Sequence, residues 1–464
     1  MDDVRIPLHG SGQSLYVAHE KVYPREVDGR FAKLRTLSVW VLLGIYYLLP
    51  WVNWNGRQAV LFDLPARKFF IFGLVFWPQD FIFLTWLLII AALALFFFTA
   101  IGGRLWCGYA CPQTVWTETF LWMERFVEGD RNARQKLDRG AWHPEKLMKK
   151  AAKQVLWVSF ALWTGFTFVG FFSPIRPLLG EALSFSLGGW ESFWVLFYAF
   201  ATYGNAGYLR EQVCKYMCPY ARFQSAMFDH DTLIITHDGE RGEPRGPRKR
   251  GTDPRSQGVG DCIDCTWCVQ VCPTGIDIRQ GLQIECIACA ACIDACDDVM
   301  DKMGSPRGLI RYTTQNALEH KPTRVARPRV FIYGGLLSAL VVGFVVTVAM
   351  RSAVSLDVLR DRNSLYRLTD DGNQVDNVYT LRILNKTERE QHFRIEAQGA
   401  SPLTLLPGDR EYRVASGDVY SLPLRVRRAT YDPVGPETIQ ITVRSMDNAS
   451  LHATTDARFL APAK

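Results

Sequence analysis

Eight cysteines in the middle of the chain constrain its fold more than any other feature. They form two runs of identical spacing, Cys262-x2-Cys265-x2-Cys268-x3-Cys272 and Cys286-x2-Cys289-x2-Cys292-x3-Cys296. Pro273 follows the first run and Asp297 the second. Thiolates at this spacing wrap a cubane iron–sulfur cluster, and the fourth cysteine of each run ligates the other cluster. The pattern therefore predicts two [4Fe-4S] clusters, one held by Cys262, Cys265, Cys268 and Cys296, the other by Cys286, Cys289, Cys292 and Cys272.

A zinc site or a disulfide framework explains this pattern less well. Zinc ribbons use two C-x2-C pairs, whereas the spacing here is 2-2-3 and occurs twice. Disulfide frameworks belong to small secreted domains, and this chain has 464 residues.

Apolar segments on both sides of the cysteine runs indicate a membrane protein. The chain is 48% hydrophobic and 13% aromatic, and a helix needs about 20 apolar residues to cross a bilayer. Five candidate spans are Leu34–Trp51, Phe81–Ile101, Val155–Phe172, Phe193–Tyr208 and Val330–Met350. Because a polar stretch, residues 1–33, precedes the first span, no cleavable signal peptide is expected.

Basic residues predict the orientation of these spans. Arg104–Lys153 carries ten Lys and Arg residues and Ser173–Glu191 only Arg176. By the positive-inside rule, the N-terminus, the Arg104–Lys153 loop and the cysteine runs are cytoplasmic, and five spans leave the C-terminus periplasmic. The net charge of +7 follows from this topology, so no nucleic acid is expected as a partner. The basic run Arg245–Arg250 is interpreted as part of a solvated Gly/Pro-rich linker, residues 239–260.

The segment after Met350 has the alternating pattern of β-strands. The predicted strands are Val378–Leu384, His392–Glu396, Tyr420–Arg427 and Thr438–Arg444. The turns between and before them are predicted at Asp371-Gly372-Asn373, Asn385-Lys386, Pro407-Gly408-Asp409 and Ser416-Gly417-Asp418. Short strands at this spacing favour an immunoglobulin-like sandwich, interpreted as a docking module.

The remaining four cysteines form two copies of a second motif. Cys107-x3-Cys111-Pro112 follows the second span and Cys214-x3-Cys218-Pro219 the fourth. Four thiolates in one place select Cu(I), zinc or an iron–sulfur cluster. One copy alone would be read as two inert buried cysteines, but two equivalent copies favour copper binding, thiol redox chemistry or a third cluster. His230 and His237 could assist as ligands, although surface histidines in a polar loop are the simpler interpretation.

Together, these motifs and their order resemble the FixG/CcoG-type cytochrome c oxidase accessory proteins, membrane polyferredoxins of cbb-type oxidase maturation. The resemblance covers essentially the whole chain. It implies reduction of Cu(II) to Cu(I) for copper delivery, with oxidase assembly factors or copper chaperones as partners and an unidentified electron donor. It assigns the copper or thiol chemistry to Cys107, Cys111, Cys214 and Cys218.

The expected protein is thus a multi-domain α+β protein of the bacterial inner membrane. Its predicted parts are a cytoplasmic segment (1–33), a four-helix membrane domain (34–238), a linker with a ferredoxin (239–329), a fifth transmembrane helix (330–350) and a periplasmic immunoglobulin-like domain (351–464). The first functional hypothesis is an oxidoreductase, a membrane cupric reductase. The others are a quinol-oxidising iron–sulfur subunit of a respiratory chain and a non-enzymatic assembly scaffold with redox-sensing clusters. No nucleotide fingerprint suggests direct oxidation of NAD(P)H.

Overall fold

The computed structural model describes residues 21–361, 364–369, 373–387, 389–408, 410–429 and 436–462. Residues 1–20 of the predicted N-terminal segment, the turn residues Asp371 and Gly372, and Asp409 lie outside the described residues.

Helices form most of the chain before residue 350. They are α1 (Arg30–Leu48), α2 (Phe81–Gly102), α3 (Leu105–Tyr109), α4 (Pro112–Glu128), α5 (Arg131–Arg139), α6 (Pro144–Val169), α7 (Ile175–Leu183), α8 (Gly189–Thr202), α9 (Pro219–Met227), α10 (Gly239–Gly242), α11 (Trp267–Gln270), α12 (Ala291–Met303), α13 (Gln315–Leu318) and α14 (Pro328–Ala349). Two π-helical segments, Tyr203–Leu209 and Val213–Met217, lie between α8 and α9.

Strands lie between these helices and after α14. They are β1 (Asn53–Trp54), β2 (Arg57–Gln58), β3 (Val60–Asp63), β4 (Lys68–Ile71), β5 (Leu74–Phe76), β6 (Ile234–His237), β7 (Ile310–Thr313), β8 (Val354–Arg360), β9 (Arg367–Leu368), β10 (Gln374–Asn385), β11 (Gln391–Gln398), β12 (Thr404–Leu406), β13 (Tyr412–Val414), β14 (Val419–Ala429), β15 (Glu437–Ser445) and β16 (His452–Phe459).

Among the residues that the structure describes, three helical segments are long and apolar enough to cross a membrane. They are Arg30–Trp51, Pro78–Gly102 and Pro328–Ala349, which contain the predicted first and second spans and almost all of the fifth. The predicted third and fourth spans also lie in helices but differ in character. The first turns of α6 carry Glu and Lys residues, and α8 ends after 14 residues at a π-helical segment. The number of five spans therefore stays a prediction.

The chain divides into two compact units. The first comprises the described parts of Met1–Tyr47, Ala94–Phe168 and Gly188–Tyr333 and carries all twelve cysteines. The second comprises Leu48–Leu93, Val169–Leu187 and the described parts of Gly334–Lys464.

Within the first unit, the ferredoxin segment is closed by a two-stranded antiparallel sheet. β6 pairs with β7 from Ile234↔Thr313 to His237↔Ile310, and Ile235 and Ile310 are buried with Ile276, Ile278 and Ile293. The ferredoxin fold thus begins at β6, inside the predicted membrane domain that was drawn to residue 238. The four residues of β6 are all buried and do not alternate, and their partners lie more than 70 positions away, so the sequence gave no local pairing signal.

Within the second unit, the C-terminal strands form the predicted sandwich. One antiparallel sheet has the order β12-β14-β10-β8 with β9 on β10, and the other has the order β13-β11-β15-β16. Inward-facing side chains of both sheets, including Tyr379, Leu381, Phe393 and Ile441, form one buried core. Each predicted strand lies inside an observed one, because alternation of apolar and polar residues fixes which face is buried.

The second unit also contains strands between the first two candidate spans, where the sequence predicted only a loop. β3, β4 and β5 form an antiparallel meander between the first two candidate spans. Its signal was available in the sequence, since Phe69, Phe70 and Phe76 favour strands and a Phe72-Gly73 turn separates β4 from β5.

Candidate functional site

Four cysteines surround a first cavity in the ferredoxin segment. Cys262, Cys265, Cys268 and Cys296 line it, with Cys268 on α11 and Cys296 on α12. Cys296 belongs to the second run in sequence but faces three cysteines of the first.

The other four cysteines of the runs surround a second cavity. Cys272 of the first run meets Cys286, Cys289 and Cys292 there, and Cys268 lines both cavities. Cys292 and Cys296 are one turn apart on α12, so a single helix supplies a sulfur to each cavity. These are the two sets of four cysteines that the crossover arrangement predicts. Which cysteines ligate which cluster stays a prediction.

The loops that carry these sulfurs repeat the same unusual backbone. The residues before and after the second cysteine of each run adopt positive φ angles, 56° at Asp264, 57° at Thr266, 54° at Ala288 and 60° at Ala290. Non-glycine residues occupy this left-handed region rarely, and they do so mainly at functional sites where surrounding structure enforces it. The repeated angles bend each run around its cavity.

The donor set fits iron–sulfur clusters. Burial raises the pKa of Cys268 to about 12 against the opposing charge of Arg279. Burial and the nearby thiols of Cys268 and Cys262 likewise raise the pKa of Cys296 to about 12. Four thiolates in such surroundings need a cationic centre to compensate their charge, and soft iron–sulfur cores provide one.

The two C-x3-C-P motifs adopt matching main-chain geometry. The amide of Cys111 donates to the carbonyl of Trp106, and the amide of Cys218 donates to that of Val213, both over 2.8 Å. Each bond spans five residues, the spacing of π-helical turns that often occur at functional sites. Pro112 and Pro219 then begin α4 and α9, where a missing N–H is tolerated. The sequence suggested that the prolines end a turn, whereas they also start the next helix.

The structure brings the four cysteines of these motifs together. Burial, followed by the Cys111 thiol and then Cys214, raises the pKa of Cys107 to about 12. Burial, Cys111 and Cys218 raise the pKa of Cys214 to about 12. The thiol of Cys107 donates to Gln224 Oε1 over 3.3 Å. We call Cys107, Cys111, Cys214 and Cys218 the C-x3-C-P site.

The C-x3-C-P site packs directly against the second cavity. Cys107 and Cys214 pack against a buried cluster that contains Cys289, and Cys292 packs against the same cluster. A Cβ atom on Gly108 would lie 2.7 Å from the carbonyl oxygen of Ala288, so only glycine permits this approach. Four sulfurs that could carry metal therefore lie beside the four that fit a cluster.

The site shows no preformed cage for one ion. Among the described residues, no three His, Cys, Asp or Glu side chains converge closely enough to hold a single metal ion. Thiolates around a four-iron cube stand farther apart than ligands around one ion, so the ferredoxin cavities agree with this finding.

One histidine prediction is corrected. His230 is exposed, as expected, but His237 is buried in β6 and lines the first cavity. Its placement follows from the pairing of β6 with β7, which sequence alone did not reveal.

Two residues of the predicted linker are fixed by side-chain contacts. Arg241 forms an ion pair with Asp261, and Arg248 donates a hydrogen bond to Ser305 Oγ over 2.6 Å.

Three further polar residues belong to the site and were missed as such. Arg104 donates to the carbonyls of Ile284 and Ala221, in close contacts that tie the first motif to α9 and to the second cysteine run. Arg35 on α1, Glu118 on α4 and Cys289 line one small cavity. The sequence could have pointed to Arg35, because an ionisable residue inside a candidate membrane span is by default a candidate functional residue.

Comparison with known proteins agrees with this architecture. The 4Fe-4S dicluster domain matches residues 209–315, a 4Fe-4S binding domain matches residues 84–129, and the Ig-like fold at the C-terminus of FixG matches residues 344–462. The dicluster match includes every cysteine of the two runs, and the 84–129 match includes Cys107 and Cys111.

Full-length relatives give the family. The chain is 39% identical over 428 residues to the nitrogen fixation protein FixG of Rhizobium meliloti, covering 84% of this chain and 82% of that protein. It is 43% identical over 406 residues to protein RdxB and 42% identical over 410 residues to protein RdxA, both of Cereibacter sphaeroides. These matches cover 84% of this chain and 85% of each relative. The chain is a FixG-family iron–sulfur protein of electron transfer, with 4Fe-4S ferredoxin domains and a C-terminal immunoglobulin-like domain.

Proposed function

We propose that this chain is a membrane cupric reductase, which passes electrons from its ferredoxin segment to Cu(II) at the C-x3-C-P site. The Cu(I) product would serve the assembly of a cbb-type cytochrome c oxidase. In this proposal copper is the substrate, and each Cu(II) ion takes up one electron.

The observation that carries the proposal is that the two sulfur sets pack together around one buried cluster of side chains. Cys107 and Cys214 share a buried cluster of side chains with Cys289 and Cys292. When bound, [4Fe-4S] clusters supply one-electron transfer over potentials from about −700 to +450 mV. Direct packing gives such an electron a short path to a thiol-bound ion.

The thiols of the C-x3-C-P site favour the reduced product. Thiolate sulfur is a soft ligand that selects Cu(I) over Cu(II), so binding there raises the driving force for reduction. Burial keeps Cys107 and Cys214 protonated at neutral pH in the absence of metal, and copper binding would release these protons. Since no three-ligand cage is preformed among the described residues, the ion is expected to bind in transit and leave again.

The proposal also assigns each part of the chain to one side of the membrane. We place the ferredoxin segment and both motifs on the cytoplasmic side of the inner membrane and the sandwich on the periplasmic side, from the distribution of basic residues. The sandwich would dock oxidase assembly factors or a copper chaperone.

A second candidate is a third iron–sulfur cluster at the C-x3-C-P site. The match of a 4Fe-4S binding domain to residues 84–129, which contain Cys107 and Cys111, favours it. In that case the chain would be a three-cluster electron carrier of a respiratory chain, and copper would not be its substrate.

Replacing all four C-x3-C-P cysteines with serine separates the candidates. Iron and sulfide per chain, EPR spectra of the reduced state and the rate of Cu(II) reduction would be measured on anaerobically purified protein. Unchanged iron with loss of copper reduction supports the cupric reductase. A fall in iron by about a third, as expected if one of three four-iron clusters is lost, supports the third cluster. Unchanged iron and unchanged copper reduction overturn both, because neither copper reduction nor a third cluster would then depend on these cysteines.

A further inference from the structure

A cavity of about 390 Å³ lies beside the second cysteine set, in the first unit. Its walls come from the segment before α1, the first turns of α1, the middle of α4 and the residues next to Cys272. This volume lies within the range of small-molecule sites. Neither the ferredoxin clusters nor the C-x3-C-P site uses it.

One wall of the cavity continues onto the face of a candidate membrane span. Leu37 and Trp40 line the cavity on α1, and their exposed fractions are 60% and 68%. Both belong to Arg30–Trp51, which is long and apolar enough to enter a bilayer. Large exposed apolar side chains on such a helix face lipid, so the cavity is accessible to a lipid-soluble molecule.

The inner wall of the cavity is polar. Glu118 is 15% exposed and accepts a hydrogen bond from Arg125 Nη2 over 3.2 Å. Arg35 and Arg125 outweigh burial and hold the pKa of Glu118 below its usual value, so its carboxylate is ionised and accepts hydrogen bonds. Arg35 lines the cavity and contacts Cys289, and its buried Nε has no hydrogen-bond partner among the described residues. A ligand oxygen would satisfy that donor, whose burial is otherwise costly.

We propose that this cavity binds the ring of a membrane quinol, with Glu118 accepting a hydrogen bond from one hydroxyl and Arg35 donating to a ring oxygen. The flat apolar ring would lie against the indoles of Trp40 and Trp122, and its lipid tail would leave past Leu37. The lining offers both apolar surface for the ring and charged side chains for its two oxygens. The inference rests on the proposed electron-transfer role and names the class of donor that supplies it.

The quinol is the reductant in the proposed step, and Glu118 and water take up its protons. Oxidation of a quinol to a quinone releases two electrons and two protons. One proton passes through Glu118 Oε to water at the mouth of the cavity, and the second goes to water directly. The [4Fe-4S] clusters, when bound, accept one electron each. Arg35 positions the ring beside Cys289 and stabilises the negative charge that develops as the proton leaves.

A pair of variants on one helix tests the binding site. Thr36 lines the cavity, and Thr36→Trp would fill it; Ile45 lies on the same helix, is 57% exposed and does not line it, so Ile45→Trp is the matched control. Binding of decylubiquinone to the full chain in lipid nanodiscs would be followed by quenching of tryptophan fluorescence. We expect saturable binding to the wild type and Ile45→Trp and at least tenfold weaker binding to Thr36→Trp. Equal binding to all three proteins, or none to the wild type, overturns the proposal.

A second arm measures electron entry without copper. Decylubiquinol would be added anaerobically and the EPR signal of the reduced clusters recorded, with dithionite as the control for intact clusters. Glu118→Gln keeps the shape of the site and is expected to slow reduction by quinol at least tenfold while dithionite reduction is unchanged. Equal rates with quinol overturn the role of Glu118. Failure of dithionite-reduced protein to reduce Cu(II) would count against the cupric reductase alone, so the two proposals fail separately.

Discussion

Arg104 Nη1 donates a hydrogen bond to the main-chain carbonyl of Cys286, 3.3 Å away. Arg104 stands three residues before Cys107, and Cys286 is the first cysteine of the second run. One side chain thus fixes the first C-x3-C-P motif against the loop that lines the second cavity. This relationship is the basis of the first prediction.

Arg104→Gln should uncouple the two sulfur sets. The shorter amide cannot reach every carbonyl that Arg104 contacts, and each buried carbonyl left without a donor costs about 1–3 kcal/mol. We expect at least tenfold slower Cu(II) reduction with unchanged iron content, measured on dithionite-reduced protein. Arg307→Gln is the control, because Arg307 is an exposed residue paired with Asp301 on the surface. If both variants reduce Cu(II) at the wild-type rate, Arg104 has no positioning role.

Gly108→Ala should disturb the second cavity without affecting the first. The new Cβ would lie 2.7 Å from the Ala288 carbonyl oxygen and 2.9 Å from that of Ile287, and main-chain atoms can yield only by moving the loop. We expect a changed EPR signal for one of two clusters. Gly239→Ala, where nothing lies within 4 Å of the added atom, should leave both signals as they are. Two unchanged signals in Gly108→Ala would show that the loop tolerates the atom.

Cys296→Ser should remove the cluster of the first run, although Cys296 lies in the second. In the structure it lines the cavity with Cys262, Cys265 and Cys268. We expect roughly half of the ferredoxin iron to be lost. The double variant Cys296→Ser with Cys262→Ser should lose no more iron than Cys296→Ser alone, because both residues belong to one set. Combining Cys296→Ser with Cys286→Ser should remove both clusters, and the reverse result would exclude the crossover pairing.

Glu124→Gln should destabilise the first unit strongly. Glu124 and Arg134 are fully buried, and the Glu124 carboxylate lies 3.2 Å from Arg134 Nη1 and 2.8 Å from Arg210 Nη2. Removing one partner of such a group leaves uncompensated buried charge and costs about 3–5 kcal/mol. Thermal unfolding would show the loss as a lower midpoint. Glu145→Gln, at an exposed helix pair with Lys149, should leave the midpoint unchanged.

The same residue predicts an acid limit to stability. Arg210 and Arg134 outweigh burial and lower the pKa of Glu124 to about 2, below its ordinary value of 4.5. A lowered pKa in the folded state gives stability that is complete above the ordinary value and is lost as the pH falls toward 2. Unfolding measured between pH 2 and pH 6 should therefore show a loss that Glu124→Gln lacks. Parallel pH curves for the two proteins would contradict this.

Sequence and structure agree where the signal is local. The 2-2-3 cysteine spacing defines loops that need only a few consecutive residues, and alternation marked Val378–Leu384 as part of β10. Contacts between distant segments escaped prediction. Arg35 and Cys289 are separated by most of the first unit, and β6 pairs with β7 more than 70 positions away. Such contacts leave no periodic pattern in the sequence, because they form only when tertiary packing brings distant segments together.

The packing of Cys107 and Cys214 against Cys289 and Cys292 also has a consequence for the order in which the protein matures. The ribosome completes both C-x3-C-P motifs well before it reaches the second cysteine run. Until that run is made and folded, the four thiols lack the side chains that bury them and the cluster that is their proposed electron donor. Under the proposed function, only a finished chain would reduce copper, and a nascent one would not produce Cu(I) ahead of the machinery that receives it.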